Sequence, residues 1–184
     1  KVAKEGIART FQNIRLFRNM SVLDNVRAAF HCRLHYGMIQ AGLHGKMFLR
    51  SEQEVLERSE AMLERFGLLE NAGALAANLP YGSQRRLEIA RALALSPRLL
   101  LLDEPAAGMN PNEIGALNDL ILWIREEFQV TVLLIEHQMG LVMRLCERIV
   151  VMDFGEIIAQ GLPSEVRANP IVLEAYLGRG AAVS

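Results

Sequence analysis

The run LLLLDEP, residues 99 to 105, carries Asp103 and Glu104 to the end of a short, unbroken apolar segment. A strand without polar alternation is expected to be buried on both faces, as in a parallel sheet covered by helices. In open α/β sheets, ligands bind beyond the carboxyl ends of such strands. Two adjacent carboxylates at that edge can divide labour, one holding a hard cation such as Mg²⁺ and the other polarising a water. An acidic pair and a proline can also simply stop a strand. VTVLLIEH, residues 130 to 137, reads as a second fully buried strand that brings His137 to the same edge. A lone strand-end histidine is commonly a surface or capping residue, and convergence with Asp103 and Glu104 is what makes it a site candidate.

Two further groups could act with these. In LPYGSQRR, residues 79 to 86, Gly82 permits a close approach, and the amides of Ser83, Gln84 and Arg85 are expected in the first turn of a helix. Such amides lack intrahelical partners and attract phosphate with the help of the helix dipole. The competing reading is an ordinary Pro-Tyr-Gly helix start. Gln12 follows the first strand pattern, and its amide oxygen can ligate a cation or orient water. Read alone, it is a loop residue.

The elements that must position these residues follow from pattern. IARTFQN predicts a strand ending near Phe11. Ser21 caps a predicted helix with Val22, Leu23, Val26, Ala29 and Phe30 at helical spacing. HYGMIQAGLHGKMFL has three glycines and reads as a loop, and a second helix is expected to start at Ser51 with a Ser51/Glu54 capping box and end at Gly67. Val55, Met62, Leu63 and Phe66 share one face of it. A helix from Ser83 to about Leu95 precedes LLLLDEP, and Ile114, Leu117, Ile121, Ile124 and Phe128 form the stripe of the helix after it. Strand, helix and strand then make a parallel βαβ crossover. A short helix, two strands turning at Phe154-Gly155 and a final amphipathic helix over PSEVRANPIVLEAYLG complete the chain.

The bulk numbers exclude more than they indicate. The 184 residues suffice for one large domain or a domain with a sub-lobe, and 51% are apolar. A formal charge of −1 gives no basic field for nucleic acid and no acidic excess for disorder. Cys32 and Cys146 are too few for a disulfide framework and fit a reducing, cytoplasmic compartment. No run approaches the roughly 18 apolar residues of a membrane span, and KVAKEGIARTF lacks the apolar core and small-residue cleavage site expected of a signal peptide. His31 and His35 stand one helical turn apart around Cys32, but a helix surface accounts for them better than a four-coordinate metal site does. Lys1, Lys4, Arg9, Arg15 and Arg18 make the N-terminal section modestly basic, and Arg15 and Arg18 flank Gln12 where a partner could meet them.

The order of these groups along the chain, glutamine loop, helical insert, LPYGSQ, LLLLDEP, AAGMNP and strand-end histidine, resembles the nucleotide-binding subunit of ATP-binding-cassette transporters. RTFQNIRLFRNMSVLDNV, LPYGSQRRLEIARAL, DEPAAGMNP and LLIEHQMGLVM are most similar to the ATP-binding protein of branched-chain amino acid importers. The resemblance implies an α/β fold, an incomplete RecA-like P-loop NTPase core over residues 1–13 and 97–184, with a helical subdomain inserted over 14–96. It implies ATP and Mg²⁺ as cofactors, a second ATP-binding subunit and transmembrane permease subunits as partners, and a place on the inner face of the membrane. By the same resemblance Gln12 is the Q-loop residue near Mg²⁺, Asp103 the Mg²⁺-binding carboxylate and Glu104 the residue that orients the attacking water. His137 contacts the γ-phosphate, Asn110 takes the D-loop place, and Gly82, Ser83 and Gln84 bind the ATP held by the opposite subunit.

Two departures accompany the resemblance. Pro80 and Ser83 stand where the wider family has serine and glutamine, which removes a hydroxyl contact to phosphate while leaving the amides. No G-x-x-x-x-G-K-[ST] occurs, and GLHGKM at 42 to 47 has the wrong glycine spacing and no hydroxyl residue after Lys46. The resemblance places that loop upstream of Lys1, so the chain is expected to be the C-terminal portion of a longer subunit and to bind ATP weakly alone. The alternative is a non-catalytic module that docks or dimerises without turnover. A soluble cassette ATPase of translation or repair fits less well, for want of a tandem cassette or long coiled-coil insertion.

Overall fold

The computed structural model describes residues 5–32 and 46–177. His35, Lys1, Lys4 and most of the expected loop around GLHGK lie outside them. The chain divides into two compact units, Lys1–Ile135 and Glu136–Ser184.

The first unit is built on a parallel sheet of β1 (Ile7–Arg9), β2 (Leu99–Asp103) and β3 (Thr131–Ile135), in that spatial order. β1 ends two residues earlier than Phe11, although Thr10 continues the ladder by donating to the Leu101 carbonyl at 2.9 Å. Between β2 and β3 runs the expected crossover helix, which buries Leu117, Ile121 and Ile124. The two strands are in register from Leu99↔Thr131 to Asp103↔Ile135.

Expected burial on both sheet faces is not what the described residues show. Leu100 and Leu102 are buried, but Leu133 and Ile135 of β3 are 53% and 55% exposed. Packing covers one face of this edge strand, so a continuous apolar run coexists with alternating accessibility.

Helices make up the rest of the first unit. α1 (Val22–His31) is capped by Ser21, whose hydroxyl accepts from the Asp24 amide, and it buries Val22, Val26, Ala29 and Phe30. α2 (Lys46–Arg65) starts five residues before Ser51, so Ser51 lies inside the helix and caps nothing. Favourable helix formers at 46–50 extend the helix through the capping-box signal. Its expected face is buried at Val55, Met62, Leu63 and Phe66, and Gly67 (φ 63°) ends it while Leu68 donates back to the Leu63 carbonyl. α3 (Tyr81–Leu93) packs against α1, α2 and β1. α4 (Pro111–Phe128) is the crossover helix.

The second unit contains α5 (Met139–Leu145), an antiparallel hairpin of β4 (Ile149–Asp153) and β5 (Glu156–Gly161), then α6 (Pro163–Arg167) and α7 (Pro170–Leu177). Phe154 and Gly155 turn the hairpin, both at positive φ, as a two-residue turn requires. The expected final helix is two, because the residue before Pro170 is steered out of the helical region and Asn169 instead accepts from the Ile171 amide. Ile149, Val166 and Val172 form this unit's core, with Val142, Cys146 and Ala159 packed on it.

Candidate functional site

β1 and β2 lie side by side, so the residues just beyond their carboxyl ends share one edge. There the Gln12 Nε2 donates to Glu104 Oε2 at 2.7 Å, across 92 residues of sequence. Arg9 Nη2 pairs with Asp103 Oδ2 at 2.7 Å, with the Asp103 side chain 22% exposed. Glu104 takes the left-handed region (φ 41°), and its amide donates to the Ile135 carbonyl at 2.9 Å. For a non-glycine residue that conformation costs about 1–2 kcal/mol, the kind of strain found where a side chain must be aimed.

The donors present suit a hard cation. Asp103 offers carboxylate oxygen, and Gln12 contacts Glu104 through its nitrogen rather than through the amide oxygen that would ligate. Among the described residues no three carboxylate, imidazole or thiol groups converge on a metal position. Such a set fits Mg²⁺, which keeps several waters and takes one or two protein oxygens beside substrate phosphates.

α3 begins at Tyr81, two residues earlier than expected, with Pro80 in the capping position and no side-chain cap. The Gln84 amide donates to the Pro80 carbonyl at 2.9 Å, which corrects the assignment of unpartnered amides. The first-turn donors are those of Tyr81, Gly82 and Ser83 rather than of Ser83, Gln84 and Arg85. Gln84 Nε2 turns back to the Leu79 carbonyl, and the Ser83 hydroxyl accepts from Arg86. A Cβ added at Gly82 would meet only Glu113 Oε1, at 3.9 Å, so space in this unit does not demand glycine there. Alongside lies an open groove of about 710 Å³ lined by Pro80, Gly82, Ser83, Met109, Glu113 and Trp123.

Asn110 is the N-cap of α4: its Oδ1 accepts from the Asn112 and Glu113 amides, and Glu113 accepts from the Asn110 amide. His137 belongs to the second unit. Its imidazole is 69% exposed, with Nδ1 3.8 Å from Glu136 Oε2, and the Glu136 carboxylate is fully buried and accepts from the His137 amide.

Sequence reasoning missed the residues that hold these loops. Arg85 and Glu88 are buried at 0% and 2% and form an ion pair at 2.7 Å. Arg85 Nη1 also donates to the Phe11 carbonyl at 2.8 Å, and Nη2 to the Gln12 carbonyl at 2.9 Å. Glu88 Oε1 accepts from the Arg15 amide at 3.0 Å. One turn on, Arg91 donates to the Arg15 carbonyl and lies over Phe17; burial lowers its pKa, opposed by Glu88. Tyr81 donates to the Ala107 carbonyl at 2.9 Å, tying the same helix to the loop after Glu104. A signal was available: Arg85 and Glu88 fall at i and i+3 on the stripe that continues as Ile89 and Ala92, where unpaired charges would be costly.

A parallel sheet with an acidic pair at the end of its middle strand, a glutamine facing that pair and a glycine-bearing helix start define the nucleotide-hydrolysing class of α/β proteins. The family model of the ABC transporter matches residues 1–107, and that of the branched-chain amino acid ATP-binding cassette transporter matches residues 156–182. The chain is 48% identical over 178 residues to the high-affinity branched-chain amino acid transport ATP-binding protein LivG of Salmonella typhimurium, covering 97% of this chain and 70% of that protein. It is 47% identical, with the same coverage, to BraF of Pseudomonas aeruginosa, which carries the same description. The ADP conformation of MJ1267, an ATP-binding cassette of an ABC transporter, superposes with a TM-score of 0.77 at 29% identity, covering 96% of this chain and 70% of that one. The chain belongs to the ABC transporter family and is an ABC-type ATPase. Among the described residues no helix is long and apolar enough to cross a membrane.

Proposed function

We propose that this chain is a portion of the nucleotide-binding subunit of an importer, a subunit that couples hydrolysis of Mg-ATP to uptake of branched-chain amino acids or a similar small solute. The observation that carries this reading is the contact between Gln12 and Glu104 at 2.7 Å beside Asp103, in a chain 48% identical to a branched-chain amino acid transport ATP-binding protein. Glu104 orients the attacking water and takes its proton, with its carboxylate held by Gln12. Asp103 and Gln12 would hold Mg²⁺, which when bound neutralises charge on the phosphate oxygens. His137 contacts the γ-phosphate. Gly82, Ser83 and Gln84, with Asn110 near the subunit boundary, serve the ATP of a second copy or a related subunit.

In this reading residues 14–96 form the helical subdomain and 1–13 with 97–184 the catalytic core. The chain works on the inner face of the membrane against permease subunits. Glu104→Gln in the transporter assembled around this chain tests it. Phosphate release is expected to fall by about 100-fold or more, the scale of a lost general base, while binding of ATP persists. Undiminished release overturns the assignment, and a wild-type assembly without solute-dependent turnover favours the non-catalytic docking module.

A further inference from the structure

We infer that Arg85, paired with Glu88, is a positioning residue that transmits movement of the Gly82 helix start to Gln12 and Glu104. The inference rests on the nucleotide-binding reading above, which assigns those two groups their tasks.

A charged pair excluded from water is costly unless its polar atoms find partners inside the protein, and three of the contacts that Arg85 and Glu88 make go to one loop, while Arg85 Nε is left without a partner. Beyond their mutual contact at 2.7 Å, Arg85 reaches the carbonyls of Phe11 and Gln12 and Glu88 reaches the amide of Arg15. The backbone on both sides of Gln12 is therefore bolted to the first turns of α3. The loop's own side chains tighten this. The Phe11 ring lies 4.3 Å from the Arg15 guanidinium and 5.1 Å from that of Arg9, the residue paired with Asp103. At its far end the buried Asn25 holds Phe17 by both amide and carbonyl.

α3 also grips the other half of the site. Tyr81, at its first position, donates to the Ala107 carbonyl three residues after Glu104, and Arg85 Nη2 lies 3.5 Å from the same hydroxyl. One helix end thus holds both loops that meet in the Gln12–Glu104 hydrogen bond. A tilt or shift of α3, such as occupancy at its N-terminus would impose, moves the Gln12 backbone with it and changes how the Glu104 carboxylate is held.

The geometry requires the arginine fork. A lysine keeps the charge opposite Glu88 but cannot bridge the Phe11 and Gln12 carbonyls together. The test uses Arg85→Lys and the paired apolar replacement Arg85→Met/Glu88→Leu in the assembled transporter, each with and without Gln12→Ala. Replacing a buried pair by apolar residues of similar size is commonly tolerated by the fold. Solute-stimulated turnover is expected to fall by about tenfold in both backgrounds, within the range of site-to-site coupling, with KM for ATP changed by less than about twofold.

Gln12→Ala, costly in the wild type, is expected to add less than about twofold in either background, because the connection it acts through is already cut. Full stimulation in either folded variant, or an undiminished Gln12→Ala effect, overturns the inference while leaving the ATPase reading intact. Should the paired replacement fail to assemble, Arg85→Lys alone decides by the same readouts. A wild-type assembly that shows no solute-stimulated turnover overturns the reading itself, and the inference with it.

Discussion

Glu104 and Cys146 show, from opposite directions, how surroundings set what a side chain can do. Glu104 accepts a left-handed backbone to place its amide on Ile135 and its carboxylate on Gln12. Cys146 packs against the Ile149–Val166–Val172 core, and burial pushes its thiol above the ordinary cysteine value, whereas Cys32 is exposed at the end of α1. A raised pKa leaves a smaller thiolate fraction at any given pH, and the thiolate is the reacting form. At neutral pH a disulfide-exchange reagent is therefore expected to label Cys32 about tenfold or more faster than Cys146. Labelling at Cys146 should gain as pH rises or as the chain is unfolded. Peptide mapping of the labelled thiols checks this, and equal rates would contradict the burial argument. The Asp103-Glu104 pair was legible in sequence because chemistry and strand end coincide there. Arg85 and Glu88 were not, because charged residues on a helix are ordinarily solvated and their burial depends on carbonyls of a loop more than seventy residues away.

At the scale of elements, the start of α3 carries the sharper lesson. Proline in the capping position and no side-chain cap bring the helix forward to Tyr81, so the free amides move to Tyr81, Gly82 and Ser83. Within this unit Gly82 is dispensable: a methyl there meets only Glu113 Oε1, at 3.9 Å. Glycine in a helix costs about 0.5–1 kcal/mol relative to alanine. Gly82→Ala is thus expected to raise the unfolding free energy by up to that increment, read as a higher urea midpoint at unchanged slope. Turnover of the assembled transporter should fall by about tenfold, because the methyl stands where a phosphate would approach the backbone amides. A variant both more stable and fully active would remove the reason for a glycine at that position. The start of α2 was misread for a related cause. The Ser51/Glu54 signal is local, and a helix already running through Lys46–Arg50 overrides it. The α1 cap at Ser21 matches its sequence signal, since no helix runs into it: Ser21 is extended, and the Val22 and Leu23 amides bond to the distant Ala74 and Ala72 carbonyls.

Across the whole molecule, stability is distributed unevenly. The first unit buries long runs of aliphatic side chains, among them Leu63, Leu68, Leu87, Ile89, Leu100 and Leu102, all below 2% exposure. The second rests on Ile149, Val166 and Val172, with Leu141 and Leu145 also buried, while its hairpin exposes Val150, Met152, Ile157 and the whole of Phe154. The parallel crossover was legible because two apolar runs bracket a helix of clear period. The one-sided burial of β2 and β3 was not, because periodicity reports what a strand can bury and not how many layers cover it. With so small a core, the hairpin should open without the sheet. Hydrogen exchange is expected to be slowest in β2 and α3 and distinctly faster in β4 and β5, as subglobal opening predicts. Leu102→Ala should cost about 2–5 kcal/mol, as truncation of a buried leucine does, and accelerate exchange across the first unit. Val166→Ala should accelerate it in residues 139–177 and leave β2 unchanged. Peptide-resolved exchange on both variants separates the two responses, and acceleration of β2 by Val166→Ala would mean that the two cores unfold as one.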